Sequence, residues 1–213
     1  MFRRRHYTAV MGRLYRRSMG WLLREWPYAG FLAGLLLLAL APLWVSGMGL
    51  VIGVIYFQLP VYMLHQLEEH AGDRFRRFVN DRVADGKDAL TPEATLVINV
   101  VGVWMVNVIA LYLAMYVSPA LGLISVYLTL VNAVVHVVGT VVLRAYNPGL
   151  WTAIILFLPL GIYSLFMLNS AGAGVWANVL GILVAVAIHA AILVHIRHRI
   201  QALSTSSTNT RVS

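Results

Sequence analysis

Residues 48–70 read MGLVIGVIYFQLPVYMLHQLEEH, an apolar run that ends in the ionisable side chains of His65, Glu68, Glu69 and His70. A bilayer core of roughly 30 Å needs about 20 apolar residues in a helix, so the run is long enough to cross it. An ionisable group beside hydrocarbon costs about 2.5–3.5 kcal/mol on insertion scales, so it normally pairs, binds a ligand or lines water. The stretch therefore predicts a transmembrane helix with a functional cluster at its end.

The composition places the whole chain among integral membrane proteins. Of its 213 residues, 60% are hydrophobic and only 11% are charged, whereas charged residues approach a quarter of an ordinary soluble domain. The chain has no cysteine, which excludes disulfides, thiolate nucleophiles and thiolate metal ligands. A metal ion would have to bind through imidazole, carboxylate or amide groups.

Six stretches have the length and apolar character of a transmembrane helix: 29–46, 48–68, 96–117, 119–142, 150–169 and 175–196. The first, third and fifth connections contain none of the sixteen Lys and Arg residues. Because positively charged loops stay in the cytoplasm, both termini are predicted to lie there. The fold class is thus an all-α integral membrane helical bundle of six transmembrane helices, a multi-pass protein of the cell inner (plasma) membrane.

The predicted organisation has three parts: a basic cytoplasmic segment 1–27, a transmembrane domain 28–197 and a disordered tail 198–213. The first segment mixes Arg with Trp and Leu, which suits either an interfacial helix on an anionic inner leaflet or a plain positive-inside signal. A signal peptide cleaved near the ALA of residues 39–41 is the alternative. Since topology accounts for the net charge of +8, we expect no nucleic-acid partner. Residues 71–95 mix both signs of charge and are expected to continue the second helix as a solvated face.

Polar residues repeat at helical spacing in four of the predicted spans, which places them on shared faces. The sets are Gln58, Tyr62, His65 and Glu68 or Glu69; Asn99 and Asn107; Ser125, Thr129, Asn132, His136 and Thr140; and Gly181, Ala185 and His189. Gly181 and Ala185 are small enough to permit close helix approach.

Three histidines are expected at a common depth. At a rise of 1.5 Å per residue from the cytoplasmic end of each span, His65, His136 and His189 lie roughly 5–10 Å below the inner interface. Asn99, near the cytoplasmic end of its own span, is expected at the same level. These side chains are predicted to converge on a pocket open to the cytoplasm. His70 is expected to point away from it, His195 and His198 to face headgroups, and His6 to lie in the leader.

Imidazole and carboxylate groups in this pattern suit a divalent metal such as zinc, iron or manganese. We predict His65, Glu69, His136 and His189 as the ligands, with Glu68 as a second carboxylate ligand or a general base. The alternatives are purely structural. Each histidine could form an interhelical hydrogen bond, and both glutamates could be hydrated and form ion pairs with Arg74, Arg76 or Arg77. The zinc-protease pattern H-E-x-x-H is absent, and in the inverted pattern Glu69 stands where the second His belongs.

His65-x-x-Glu68-Glu69, the histidine in Asn132-Ala-Val-Val-His136 and Tyr146-Asn-Pro148-Gly149 follow one another in that order. In this the chain resembles the HXXEE-domain family, multispanning membrane proteins of unknown function, over roughly residues 30–195. The resemblance implies that these residues are functionally important. Tyr146 is expected either to reach toward the pocket as an acid or hydrogen-bond donor, or only to form, with Pro148 and Gly149, the turn between two helices. His189 lies outside the family's pattern.

Three functional hypotheses follow. The first is a metal-dependent membrane hydrolase or oxidoreductase acting on a lipid or amphipathic small molecule, with Glu68, Glu69 and Tyr146 as catalytic residues. The second is a proton-coupled transporter in which Glu68, Glu69 and His136 form a titrating relay. The third is a noncatalytic membrane scaffold.

Overall fold

The computed structural model describes the backbone of residues 2–212 and the side chains of residues 18–205, so His6 lies outside the described side chains. Helices account for nearly all of it, and no strand occurs in this part of the chain. We number the helices α1 (Phe2–Tyr56), α2 (Gln58–His70), α3 (Arg74–Arg82), α4 (Pro92–Tyr116), α5 (Leu123–Leu143), α6 (Leu150–Ser170) and α7 (Val175–Val212). Five stretches among the described residues are long and apolar enough to cross a membrane, which indicates a membrane protein.

The first of these stretches, Ser18–Arg82, turns back on itself. Gly49 interrupts α1 with φ +77° and ψ 166°, a conformation that glycine reaches without the steric cost of a side chain. The Tyr56 hydroxyl donates to the carbonyl of Leu37 at 2.7 Å, and a Cβ on Gly34 would lie 3.0 Å from the Pro60 carbonyl. Residues 34–60 therefore form an antiparallel hairpin.

The connection between α2 and α4 folds into a structure of its own, which differs from the expected continuation of the second helix. Gly72 and Asp73 take left-handed φ values of 63° and 64° and break the helix. Arg76 then bonds Asp73 at 2.6 Å and Asp88 at 2.7 Å, while Asn80 bonds both backbone groups of Leu90. The apolar side of α3 faces inward rather than solvent, because Val79 belongs to a buried cluster and Phe75 and Phe78, partly buried, pack against that cluster.

Helices α5 and α7 pack closely through small residues, as the sequence predicts. A Cβ added to Gly181 would lie 2.8 Å from the Leu123 carbonyl oxygen and 2.6 Å from the Tyr127 ring. Ala185, one turn later, is fully buried. Tyr127 also donates to Asn178 at 2.9 Å, which fixes the register of the two helices.

The bundle has an apolar outer surface and buries a set of polar side chains among its apolar core residues. Its most exposed large side chains include Leu32, Leu43, Val141, Val142 and Phe166, whereas Gln58, Ser125, Thr129 and Ser164 are fully buried. In hydrocarbon a polar group can form hydrogen bonds only with another protein group. A membrane protein therefore keeps such side chains in its interior and apolar side chains on its outer surface.

Helix α7 continues as far as Val212, where the sequence predicts a disordered tail after residue 197. Ser204 and Thr205 donate their hydroxyls to the carbonyls of Ile200 and Gln201, one turn earlier. Lys87 also donates to Ser204 at 2.9 Å, which joins the last helix to the connection before α4.

Replacing Gly181 with Val is expected to destabilise the bundle by about 1–3 kcal/mol, the usual cost of overpacking. The Leu123 carbonyl belongs to helix backbone and cannot move aside cheaply. The measurement is the thermal unfolding midpoint in detergent. Gly47→Ala is the control because a Cβ there meets nothing within 4 Å; equal midpoints for both variants would contradict the close approach of α5 and α7.

Candidate functional site

The Glu69 carboxylate lies between imidazoles from two helices. Its Oε2 is 3.4 Å from His65 Nε2, one turn earlier on α2, and its Oε1 is 3.5 Å from His136 Nε2 on α5. One ligand atom from each residue falls within 4.8 Å of the others, and all three residues are buried. We call His65, Glu69 and His136 the His/Glu cluster.

Aromatic packing fixes the two imidazoles of the His/Glu cluster. The ring of His65 lies 4.2 Å from that of Phe157 and 4.9 Å from that of His136, centroid to centroid. Phe157 closes a π-helical segment of α6, Ala153–Phe157, a widened turn often found at functional sites. His65 Nε2 has no hydrogen-bond partner among the described residues, so its lone pair or proton is available to a ligand.

Glu68 has different surroundings from Glu69. Its Oε2 accepts from the Thr152 amide at 2.7 Å and the Thr152 hydroxyl at 2.5 Å. Its Oε1 accepts from the Trp151 amide at 3.2 Å and from the Tyr146 hydroxyl. The carboxylate thus caps the first turn of α6, where unpaired amides and the helix dipole favour an anion. Burial, followed by the Glu68 carboxylate, raises the pKa of Tyr146 to about 12, so the phenol stays a proton donor.

Thr152 joins the two parts of the site, and sequence reasoning missed it. Its hydroxyl oxygen lies 2.5 Å from Glu68 Oε2 and 2.8 Å from His65 Nδ1. No periodic pattern marks this residue, because its position depends on the turn before α6 rather than on a helical face. The only signal is its place three residues after Gly149, in the first turn of a helix.

The turn before α6 presses against the His/Glu cluster. Gly149 has φ +100° and caps the helix, and a Cβ there would lie 2.7 Å from His136 Cε1 and 2.8 Å from His65 Cε1. Only glycine fits both the backbone conformation and this space. The structure also brings Tyr146 to Glu68, as the sequence expectation allowed, although a catalytic role for either residue stays a prediction.

His70 does not point away from the site, so that expectation is wrong. Its Nε2 lies 3.1 Å from Glu69 Oε2, and its ring is 5.0 Å from that of Trp26. Ideal helical spacing misplaces the ring because α2 loosens at this residue, where φ is −112°, before the following residue leaves the helix at ψ 132°.

A cavity of about 240 Å³ opens beside the His/Glu cluster. Asn99, Asn132 and His189 line it together with Glu69 and His136, and most other lining side chains are apolar. Asn99, His136 and His189 thus meet at one cavity, as their common depth predicted, whereas His65 is not among its lining residues. His189 belongs to the wall rather than to the His/Glu cluster, and its Nδ1 lies 2.8 Å from the Ala185 carbonyl. Its role as a metal ligand stays a prediction. His195 and His198 are exposed.

Gln66, between the named residues of the motif, holds one wall of the cavity. Its amide nitrogen donates to Asn99 Oδ1 at 2.9 Å, and its amide oxygen accepts from Trp104 Nε1 at 2.6 Å. Asn99 in turn donates to the Thr95 carbonyl at 2.9 Å. These bonds satisfy both buried amides and tie α2 to α4, which makes Asn99 a wall residue with its polar atoms already engaged.

Two distances within the His/Glu cluster are compatible with a metal coordination sphere. Two atoms that each lie about 2.1 Å from a tetrahedral metal are about 3.4 Å from each other. The nitrogen to oxygen distances of 3.4 and 3.5 Å fall at this value and beyond the usual length of an N–H···O hydrogen bond. Buried imidazole nitrogens and a carboxylate at this spacing could hold a divalent cation, while His70 Nε2, at 3.1 Å from Glu69 Oε2, lies within hydrogen-bond distance.

Comparison with known proteins identifies the family and leaves the activity open. Residues 56–164 match the family model described as "Protein of unknown function with HXXEE motif". No curated protein and no solved structure matches the chain. The matched region covers α2 through most of α6 and includes every residue of the His/Glu cluster together with Glu68 and Thr152. By this match over half its length, the chain belongs to the HXXEE family.

Proposed function

We propose that the chain crosses the inner membrane six times with both termini in the cytoplasm. The hairpin at Gly49 supplies the sixth crossing, because it divides Ser18–Arg82 into two antiparallel arms. The distribution of basic residues supports the orientation, since the connections near Ser46, Ser118 and Ala171 carry no Lys or Arg.

Single cysteines test this topology directly, because the chain has none of its own. A membrane-impermeant thiol reagent applied to intact cells or spheroplasts should label Ser46→Cys and Ala171→Cys, both exposed positions. Asp81→Cys should react only after permeabilisation. Labelling of Asp81→Cys from outside would invert the topology, and a Ser46→Cys that reacts from neither side would remove the first hairpin.

We propose that the His/Glu cluster binds a divalent metal ion such as zinc, iron or manganese. The observation that carries this proposal is the placement of two buried imidazole nitrogens at 3.4 and 3.5 Å from the two oxygens of one carboxylate. His189 on the cavity wall is the protein group we propose as a further ligand. When bound, the metal would polarise a substrate oxygen or lower the pKa of a bound water.

Elemental analysis of detergent-purified protein is expected to find about one metal ion per chain, the occupancy of a single mononuclear site. His65→Ala and Glu69→Gln should lose most of this metal because each removes a charged or donor atom from the His/Glu cluster. His195→Ala and Glu93→Gln are matched controls at exposed positions and should retain it. Unchanged metal content in folded His65→Ala and Glu69→Gln protein would eliminate the site.

We propose further that the metal serves an enzyme, a hydrolase or oxidoreductase that acts on a lipid or amphipathic small molecule. The cavity supports this because apolar side chains form most of its wall while Glu69 and His136 reach it. Val135 of α5 and Leu193 of α7 line it and are also 43% and 58% exposed. The cavity therefore reaches the apolar outer surface, from which a molecule dissolved in the bilayer could enter.

Proteoliposomes made with the total lipid extract of the producing cell test for this activity. Metal-loaded wild-type protein should convert a lipid or amphipathic component, detected by mass spectrometry, while Glu69→Gln should leave it unchanged. Glu93→Gln should act like wild type. Identical lipid profiles for wild type and Glu69→Gln would contradict an enzyme, and proton or solute flux without conversion would favour the transporter hypothesis.

A further inference from the structure

We propose that Glu68 and Thr152 are positioning residues that hold His65 in one tautomer, with the proton on Nδ1 and the Nε2 lone pair free for the metal. This inference rests on the proposed metal site. It assigns separate tasks to the adjacent glutamates of the motif: Glu69 contacts the metal, and Glu68 orients a ligand from one residue away.

The backbone amides determine which group donates in each hydrogen bond of this chain of contacts. The amides of Trp151 and Thr152 can only donate, so the Glu68 oxygens that face them at 3.2 and 2.7 Å act as acceptors. The Tyr146 hydroxyl adds a donor to Oε1. Donors on both oxygens favour the ionised carboxylate, which has no proton to give.

The hydroxyl of Thr152 therefore gives its only proton to Glu68. The two oxygens lie 2.5 Å apart, a distance typical of a charge-assisted hydrogen bond and too short for two facing lone pairs. The Gly149 carbonyl, at 3.3 Å, is the weaker competing acceptor. With its proton directed to Glu68, the hydroxyl can only accept from His65 Nδ1 at 2.8 Å. His65 must then carry a proton on Nδ1.

This protonation leaves Nε2 of a neutral His65 with a lone pair facing Glu69 Oε2 at 3.4 Å. Two acceptors in that arrangement repel each other until a cation lies between them. In the opposite tautomer, an N–H on Nε2 would approach Glu69 and block coordination. Hydrogen bonds to the second nitrogen of a ligating histidine commonly fix its tautomer in this way, and their loss weakens metal binding about 10–100-fold.

The first test measures the tautomer itself in metal-free protein. Long-range ¹H–¹⁵N correlation spectra of ¹⁵N-histidine protein distinguish the two ring nitrogens, and the signals of His65 are those absent from His65→Gln. Wild type and Thr152→Ser should show the proton on Nδ1. In Thr152→Val, which keeps the branched shape without the hydroxyl, His65 should shift to the Nε2–H form or to a mixture. An unchanged Nδ1–H form in Thr152→Val, or an Nε2–H form in wild type, would overturn the inference.

Glu68→Ala tests the direction of the relay while the Thr152 hydroxyl stays in place. It removes the carboxylate oxygen that accepts the Thr152 hydroxyl proton at 2.5 Å. The freed hydroxyl proton turns to His65 Nδ1, so the tautomer should switch to Nε2–H. A role of Glu68 limited to stability predicts no switch in folded protein, which would also contradict the proposal.

Zinc affinity, measured by competition with a chelator, links the relay to the metal site. Thr152→Ser should match wild type within a few fold, whereas Thr152→Val should bind zinc about 10–100-fold more weakly with the same stoichiometry. Equal affinity in Thr152→Val would reject the positioning role. If wild type bound no zinc, iron or manganese, the proposed metal site would fail, and the spectra of metal-free protein would still decide the tautomer.

Discussion

The contact between the Glu68 carboxylate and the first turn of α6 holds the site together. Unpaired amide groups at a helix start need acceptors. Glu68 meets that need from α2 through the amides of Trp151 and Thr152. The same contact sets Gly149 against the rings of His65 and His136. An electrostatic cap between two helices thereby fixes the positions of residues on three.

The membrane environment explains why so much polar structure is buried. A surface that faces lipid has to be apolar, so polar side chains lie in the interior, where they form hydrogen bonds with one another or with the backbone. Gln58 illustrates this with bonds to the Val54 carbonyl and to Ser164, at 3.0 and 2.9 Å. The His/Glu cluster differs because its nitrogen to oxygen distances of 3.4 and 3.5 Å are longer than these bonds and equal the spacing of two ligands around a tetrahedral metal.

Helical periodicity predicts the residues that project from the middle of a helix and fails where a helix ends. Residues such as Tyr62, His65 and His136 lie inside regular helices, so their spacing correctly predicted a buried shared face. His70 and Thr152 sit in the last turn of α2 and the first turn of α6, where local geometry rather than period sets the side-chain direction. The inward face of α3 escaped prediction for the same reason, because its orientation follows from the break at Gly72.

The spacing within the motif follows from the geometry of one helix between two others. Successive residues of an α-helix differ by about 100° in direction, since 3.6 residues make a turn. Glu69 lies one turn beyond His65 and shares its direction toward α5, where His136 meets both. Glu68, rotated by that single step, faces α6 and reaches Thr152. If Glu68 were to face α5 and Glu69 were to face α6, α2 would need a different rotation about its axis. The adjacency of the two glutamates and the position of His65 one turn before Glu69 therefore follow from the same geometry. The bonds to Tyr146 and Thr152 make α6 part of the motif although the sequence places it some 80 residues away.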